Sequence, residues 1–156
     1  MQQPSYLDTP GPIALAHRGA SNNLPENTMA AFECAVELGY RYIETDVHVT
    51  RDGVLIAFHD DRLDRVTRHS GLISELDWSE IKQARVDDAE PIPLLEDLLT
   101  RWPGVRINLD PKSDAAVAPL TEMLKKLDAV DRVCIGSFSG ARLQAIRKSF
   151  DMEVCT

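Results

Sequence analysis

Strand-sized apolar runs alternating with amphipathic segments of helical length predict an α/β fold built on parallel strands. Two further observations point the same way. Ionisable residues recur at the ends of successive strand runs and on one side-chain parity. The 156 residues, 44% hydrophobic and 27% charged, have the composition of a single soluble globular domain rather than a disordered or fibrous chain.

The elements follow in order. Residues 13–17 form an apolar run ending on His17, the first strand. Residues 25–38 place Met29, Phe32 and Val36 at i, i+3 and i+7, a helix closed by Gly39 with Asn27 or Thr28 as its N-cap. Residues 42–49 and 54–59 are β-rich runs joined through Asp52-Gly53, a tight-turn pair. A polar, turn-rich insertion at residues 60–92 follows the third strand, with a short helix expected near residues 79–84. Pro91 and Pro93 introduce a helix carrying Leu94, Leu95, Leu98 and Leu99. Strands at 105–110 and 133–136 alternate with helices at 115–127 and 141–148, and a last strand opens at Met152. Trp78 and Trp102 are read as packing anchors, and Cys34 and Cys134 as buried, inert thiols. This count gives five βα units and the opening of a sixth, where a closed barrel of eight takes ~250 residues. Either a small open sheet or an incomplete barrel is expected, one domain over residues 1–156.

Composition excludes several partners. Seventeen basic against 25 acidic residues leave a net charge of −8, and no basic stripe is present, which argues against nucleic acid. No apolar run approaches the ~20 residues of a membrane span. Residues 1–8 lack the charged and apolar regions of a secretory leader, and three cysteines, an odd number, carry no paired metal spacing. A cytoplasmic location with reduced thiols is the expectation.

Alternate strand residues share a face, so His17, the pair Glu44 and Asp46, His59, and Asp110 are expected at one mouth, with Arg18 and Lys112 beside them. Active sites of parallel α/β folds lie at that end of the strands. Three carboxylates form an oxygen-only donor set suited to Mg²⁺ or Ca²⁺, and a cation flanked by Arg18 and Lys112 suits an anionic oxygen group such as phosphate. Two histidines on separate strands supply an acid and a base near neutral pH. Together these are the needs of phosphodiester cleavage. His48 shares parity with Asp46 and is read as lining, Asp60 as a local support of the His59 loop, and His69 as lacking a role.

The ordered set His17-Arg-Gly-Ala20, Pro25-Glu-Asn-Thr28, Glu44-Thr-Asp46, Thr50-Arg-Asp-Gly53, Phe58-His-Asp60, residues 91–96, Asn108-Leu-Asp-Pro-Lys112 and Gly136-Ser-Phe138 resembles the glycerophosphodiester phosphodiesterase family. The resemblance implies a TIM-like (β/α)8 barrel of the phospholipase C-like type, incomplete here. It also implies metal-dependent hydrolysis of a small phosphodiester to sn-glycerol 3-phosphate and an alcohol. By position, His17 and His59 match the acid/base pair, Glu44 and Asp46 two metal ligands, and Arg18 and Lys112 the phosphate contacts. Asp110 stands where the family commonly has Glu, and Glu26 and Asn27 help frame the mouth. Two rival expectations remain: a non-catalytic barrel fragment that binds a phosphate ester or partner, and a related phosphodiesterase acting on lysophospholipid or sphingolipid head groups. Self-association through an unpaired barrel edge is also expected.

Overall fold

The structure, a computed structural model, describes residues 5–20, 24–150 and 154–156. β1 (Leu15–His17) leads into α1 (Met29–Glu37), where Thr28 rather than Asn27 is the N-cap, its Oγ1 accepting from Ala31 N at 3.2 Å. β2 (Tyr42–Val49) is buried along its whole length and turns at residues 51–53 into β3 (Leu55–Ala57). The insertion holds α2 (Trp78–Ile81) and the small hairpin β4 (Arg85–Val86) with β5 (Glu90–Pro91). α3 (Leu95–Arg101), β6 (Arg106–Pro111), α4 (Val117–Lys126), β7 (Val133–Ile135) and α5 (Gly140–Lys148) complete the order.

The parallel strands run β1-β2-β6-β7. Each new strand is added to the same side of its predecessor, the single winding of a barrel rather than the reversal of a doubly wound sheet. Register is set by Leu15↔Tyr42, Glu44↔Asn108, Asp46↔Asp110 and Ile107↔Val133. The fold is therefore a TIM-like α/β barrel, left open among the described residues. One strand parity (Ile43, Val47, Ile107, Leu109, Val133, Ile135) packs against Phe32, Leu95, Leu98, Leu120, Leu124 and Ile146 of the helices, in one continuous core. Burying such side chains stabilises the fold by roughly 1.5–3 kcal/mol each. The opposite parity faces the barrel interior. At its N-terminal end Tyr42 is closed off by Tyr6, whose ring stands edge-on at 5.1 Å, and Tyr42 Oη donates to the Tyr6 carbonyl at 2.8 Å.

Three expectations are corrected. The third strand run is not a βα unit: β3 pairs antiparallel with β2 (Val47↔Ala57, Val49↔Leu55), because the Asp52-Gly53 turn folds it straight back. Among the described residues there are thus four parallel strands, each followed by a helix, and a fifth strand position marked by the parallel bridge Cys134↔Cys155. Met152, where that strand was expected to open, lies outside the described residues. Second, the 60–92 insertion is more than polar loop. Leu63, Ile73, Ile81, Val86 and Ile92 join Ile56 and Phe58 in a core of their own, against which Trp78 packs, as Trp102 packs against the main core. Third, Cys34 and Cys134 are only half-buried, although all three cysteines are free. Burial and the neighbouring Cys155 push the Cys134 thiol up to about 12, which keeps it unreactive. Among the described residues no helix is long and apolar enough to cross a membrane.

Gly19 carries the tightest backbone approach. Its φ is +80°, and a Cβ there would lie 2.7 Å from the Ala31 carbonyl carbon, whereas Gly53 (φ +86°) faces open space. Gly53→Ala is expected to cost about 1 kcal/mol for its left-handed backbone alone. Gly19→Ala should cost at least ~2 kcal/mol more, read as the difference in urea midpoints between the two variants; equal losses would show that α1 moves aside without penalty.

Candidate active site

The chain leaves β1 through two left-handed residues, Arg18 (φ +54°) and Gly19, a turn packed closely against α1 and held by its own hydrogen bonds. This turn points the Arg18 amide at Glu44 Oε2, 3.0 Å away. It also brings Arg18 Nε to 3.2 Å from Asp46 Oδ2, and Arg18 Nη1 to 3.2 Å from both oxygens of Glu26. Asn27, itself left-handed at φ +55°, donates its backbone N–H to the Arg18 carbonyl at 3.1 Å. Its side-chain Nδ2 donates to Asp46 Oδ2 at 2.9 Å, and its Oδ1 accepts from Thr45 Oγ1 at 2.8 Å. Asn27 is buried, so the side chain expected to frame the mouth is turned inward to hold Asp46.

The carboxylates occupy adjacent strands on the interior face. Asp46 is 2% exposed and Glu44 9%. Lys112 Nζ lies 2.7 Å from Asp46 Oδ1 and 2.7 Å from Asp110 Oδ2, and its backbone is fixed by the hydrogen bond from its N–H to the Val47 carbonyl at 2.9 Å. Burial alone would lower the Lys112 ammonium, yet the bonds to Asp110 and Asp46 outweigh it and hold it above its ordinary range. Glu44 has no such partner. Burial, reinforced by the negative charge of Asp46, pushes its carboxyl up to about 7, and His17 Nε2 stands 3.7 Å from its Oε2.

His59 arrives by the hairpin. Phe58 N donates to the Asp46 carbonyl at 3.0 Å, which sets the next residue at the level of the carboxylates. His59 Nδ1 lies 2.5 Å from Asp60 Oδ1, and the His59 carbonyl accepts from His48 Nε2 at 3.0 Å. Burial lowers the His48 imidazole, keeping it a neutral donor in the support of this loop. The hydrogen bond from Arg65 carries the Asp60 carboxyl down to about 2 against its own burial, with His59 adding to the effect. Arg65 also bonds Glu26 Oε1 at 2.5 Å. Arg65 and the supporting role of His48 are what sequence reasoning missed. Position supplies only a weak signal for each: Arg65 is a basic residue one turn beyond Asp60, and His48 shares parity with Asp46. His69 is exposed, as expected of a residue without a role.

His17, Arg18, Glu44, Asp46, Asp110 and Lys112 are thus linked by direct contacts or shared strand register at one end of the sheet, and His59 is joined to them through Asp60, Arg65 and Glu26. The expected metal trio is on one face but is not closed around one point. Among the described residues no three His, Cys, Asp or Glu side chains are grouped as ligands, because the Lys112 ammonium bridges Asp46 and Asp110. In kind the site still fits a hard cation. The donors are all oxygen, an ammonium already stands where two of them converge, and Glu44 is met by the Arg18 backbone N–H and the His17 ring rather than by an ammonium bond.

The family model of the glycerophosphoryl diester phosphodiesterases matches residues 17–156. The chain belongs to this family. A Mycobacterium tuberculosis protein named probable glycerophosphodiester phosphodiesterase 2 is 46% identical over 138 residues, which cover 88% of this chain and 52% of that protein. A glycerophosphodiester phosphodiesterase of Caldanaerobacter subterraneus is 35% identical, over 87% of this chain and 62% of the relative. The chain therefore spans about half to three fifths of the length of these curated relatives. Among solved structures, a glycerophosphodiester phosphodiesterase from Agrobacterium tumefaciens superposes with a TM-score of 0.80 at 30% identity, covering 86% of this chain and 61% of that one. An Oleispira antarctica phosphodiesterase, solved in complex with the product sn-glycerol-3-phosphate, gives 0.80 at 31% identity, covering 88% and 62%.

The raised Glu44 carboxyl has a thermodynamic consequence. Between its ordinary value of 4.5 and about 7 the folded state holds a proton that the unfolded state has released. Stability should therefore fall as pH rises through that window, by on the order of 1–3 kcal/mol. Urea unfolding at about pH 5 and pH 7.5 in the presence of chelator measures the fall. Glu44→Gln, which cannot ionise, should flatten it; an unchanged pH slope in that variant would assign the effect elsewhere.

Proposed function

We propose that this mouth hydrolyses glycerophosphodiesters to sn-glycerol 3-phosphate and an alcohol, with Mg²⁺ or Ca²⁺ as cofactor. The observation that carries the reading is the gathering of two imidazoles, three carboxylates and two cationic side chains at one end of one sheet face. The family of the chain and the product bound by the Oleispira relative support it.

Each residue takes a role that its chemistry allows. Arg18 and Lys112 place positive charge against the phosphate oxygens, where charge grows in the transition state. One imidazole of the His17 and His59 pair removes the proton from the attacking oxygen, and the other delivers a proton to the departing alkoxide. The attacking oxygen is that of water or of the substrate's own glycerol hydroxyl. In the second case a cyclic phosphate forms and water then opens it. Glu44, Asp46 and Asp110 are the residues that would hold the divalent cation, which when bound neutralises charge on the phosphate oxygens. Asn27 and Glu26 act from behind as positioning residues, through Asp46 and Arg18. Asp60 fixes the His59 tautomer with Nδ1 as the donor, leaving Nε2 for proton transfer.

Release of glycerol 3-phosphate from glycerophosphocholine tests the reading. Turnover should vanish after exhaustive chelation and return with Mg²⁺ or Ca²⁺, and His17→Ala and His59→Ala should each lower it by on the order of 10²-fold. Full turnover in chelator would remove the metal; near-normal turnover in either variant would remove that histidine. Saturable binding of glycerol 3-phosphate without any turnover would instead make the chain a phosphate-ester binding module. The side of β1 that no strand pairs among the described residues, with Ile13 and Leu15 exposed at 38% and 39%, also points to self-association. Light scattering should show species larger than a monomer at micromolar concentration, and a monodisperse monomer would exclude it.

A further inference from the structure

We infer that Arg65, in the insertion after β3, is a positioning residue that holds His59 in its working orientation by clamping Asp60 to Glu26. The inference rests on the proposed role of His59 as an acid or base. Three contacts carry it. Arg65 Nε donates to Asp60 Oδ2 at 2.6 Å and Arg65 Nη2 to Asp60 Oδ1 at 3.1 Å, a two-toothed grip on the carboxylate that engages His59 Nδ1. The same Nη2 donates to Glu26 Oε1 at 2.5 Å, and Glu26 in turn is gripped by Arg18, which pairs with Asp46. A continuous chain of charged contacts therefore joins His59 on the hairpin to the turn after β1. Without Arg65 the Asp60 carboxylate would keep His59 as its one partner in this chain and would be free to rotate away from it.

The base of Arg65 is fixed even though its side chain is about half exposed. Leu63, two residues earlier, is fully buried in the insertion's own core, and Leu63 N donates to the Gly71 carbonyl at 3.1 Å. Val66, the next residue, accepts from Asp87 N at 2.8 Å. The insertion thus acts as an anchored arm that carries this guanidinium to Asp60 and Glu26. A guanidinium is required by geometry, since two carboxylates at different angles are met by donors of one rigid plane, whereas an ammonium presents a single point of charge.

The test reads the His59 ring directly. In ¹⁵N-histidine-labelled protein, assigned with His59→Gln and held at a pH where the ring is neutral, His59 should show a fixed Nδ1–H tautomer. Arg65→Met should convert it to a tautomer mixture, and Arg65→Lys should restore it only in part. Arg68→Ala removes a neighbouring, 82% exposed arginine that pairs with Asp88, and should leave the spectrum unchanged. Where turnover is measurable, kcat should fall about tenfold or more in Arg65→Met with KM altered less than twofold, the pattern of a misplaced proton carrier. An unaltered His59 tautomer in folded Arg65→Met overturns the inference whether or not the chain turns over substrate. A lost tautomer with no turnover in any variant would leave the clamp standing and count against the catalytic reading instead.

Discussion

A carboxylate with almost no access to water must be met by donors inside the protein, and Asp46 is met from three directions. Arg18 meets it as an ion pair from the turn after β1, while Asn27 at the entry to α1 and Lys112 in the loop after β6 donate to it. Each of those side chains is held in place by another bond. Arg18 is fixed through its own amide to Glu44, Asn27 through Thr45 and the Arg18 carbonyl, and Lys112 through the Val47 carbonyl. Removing the Asp46 charge would leave Arg18 with Glu26 and Lys112 with Asp110, and would cut the link between the two cationic side chains. The arrangement of the mouth is thus coupled to the folding of the two connections that follow β1 and β6.

The apolar layers supply the frame on which this polar cluster is strung. Ile43, Val47, Ile107 and Leu109 lock β2 and β6 against the helices, so the residues between them, Glu44, Asp46, Asn108 and Asp110, have no freedom over which way they face. Two carboxylates at the same level on neighbouring strands repel one another unless a cation intervenes. Lys112 fills that need between Asp46 and Asp110, while Glu44, level with His17 and Asn108, has its carboxyl raised to about 7 by burial and by Asp46 two residues along its own strand.

Most of this frame was legible in the amino-acid order. The parity of Glu44, Asp46 and Asp110 was readable because strands repeat every two residues, and β2 spans the same residues 42–49 that pattern alone delimits. The direction of the third run was the harder matter. Asp52-Gly53 signals a reversal, yet a run of apolar residues ending in His59 also reads as the next parallel strand, and periodicity is blind to direction. The inward turn of the Asn27 amide was not legible, because its position at a helix entry says nothing about which way that amide points. Arg65 went unseen because the partners of a long, flexible side chain are set by tertiary distance, and an insertion rich in polar residues hides the few apolar ones, Leu63 and Ile73, that anchor it.

Because His59 is delivered by a hairpin rather than by a strand of its own, its facing is a matter of phase. Val47↔Ala57 and Val49↔Leu55 align the arm with β2, and each residue added to or removed from the turn would move that alignment by one step. One step inverts the arm: Leu55 and Ala57, now in the main core with Val47 and Val49, would exchange faces with Ile56 and Phe58, now buried in the insertion's core, and the loop that carries His59 would be displaced with them. Changes in turn length at residues 51–53 are therefore tolerated in pairs or not at all.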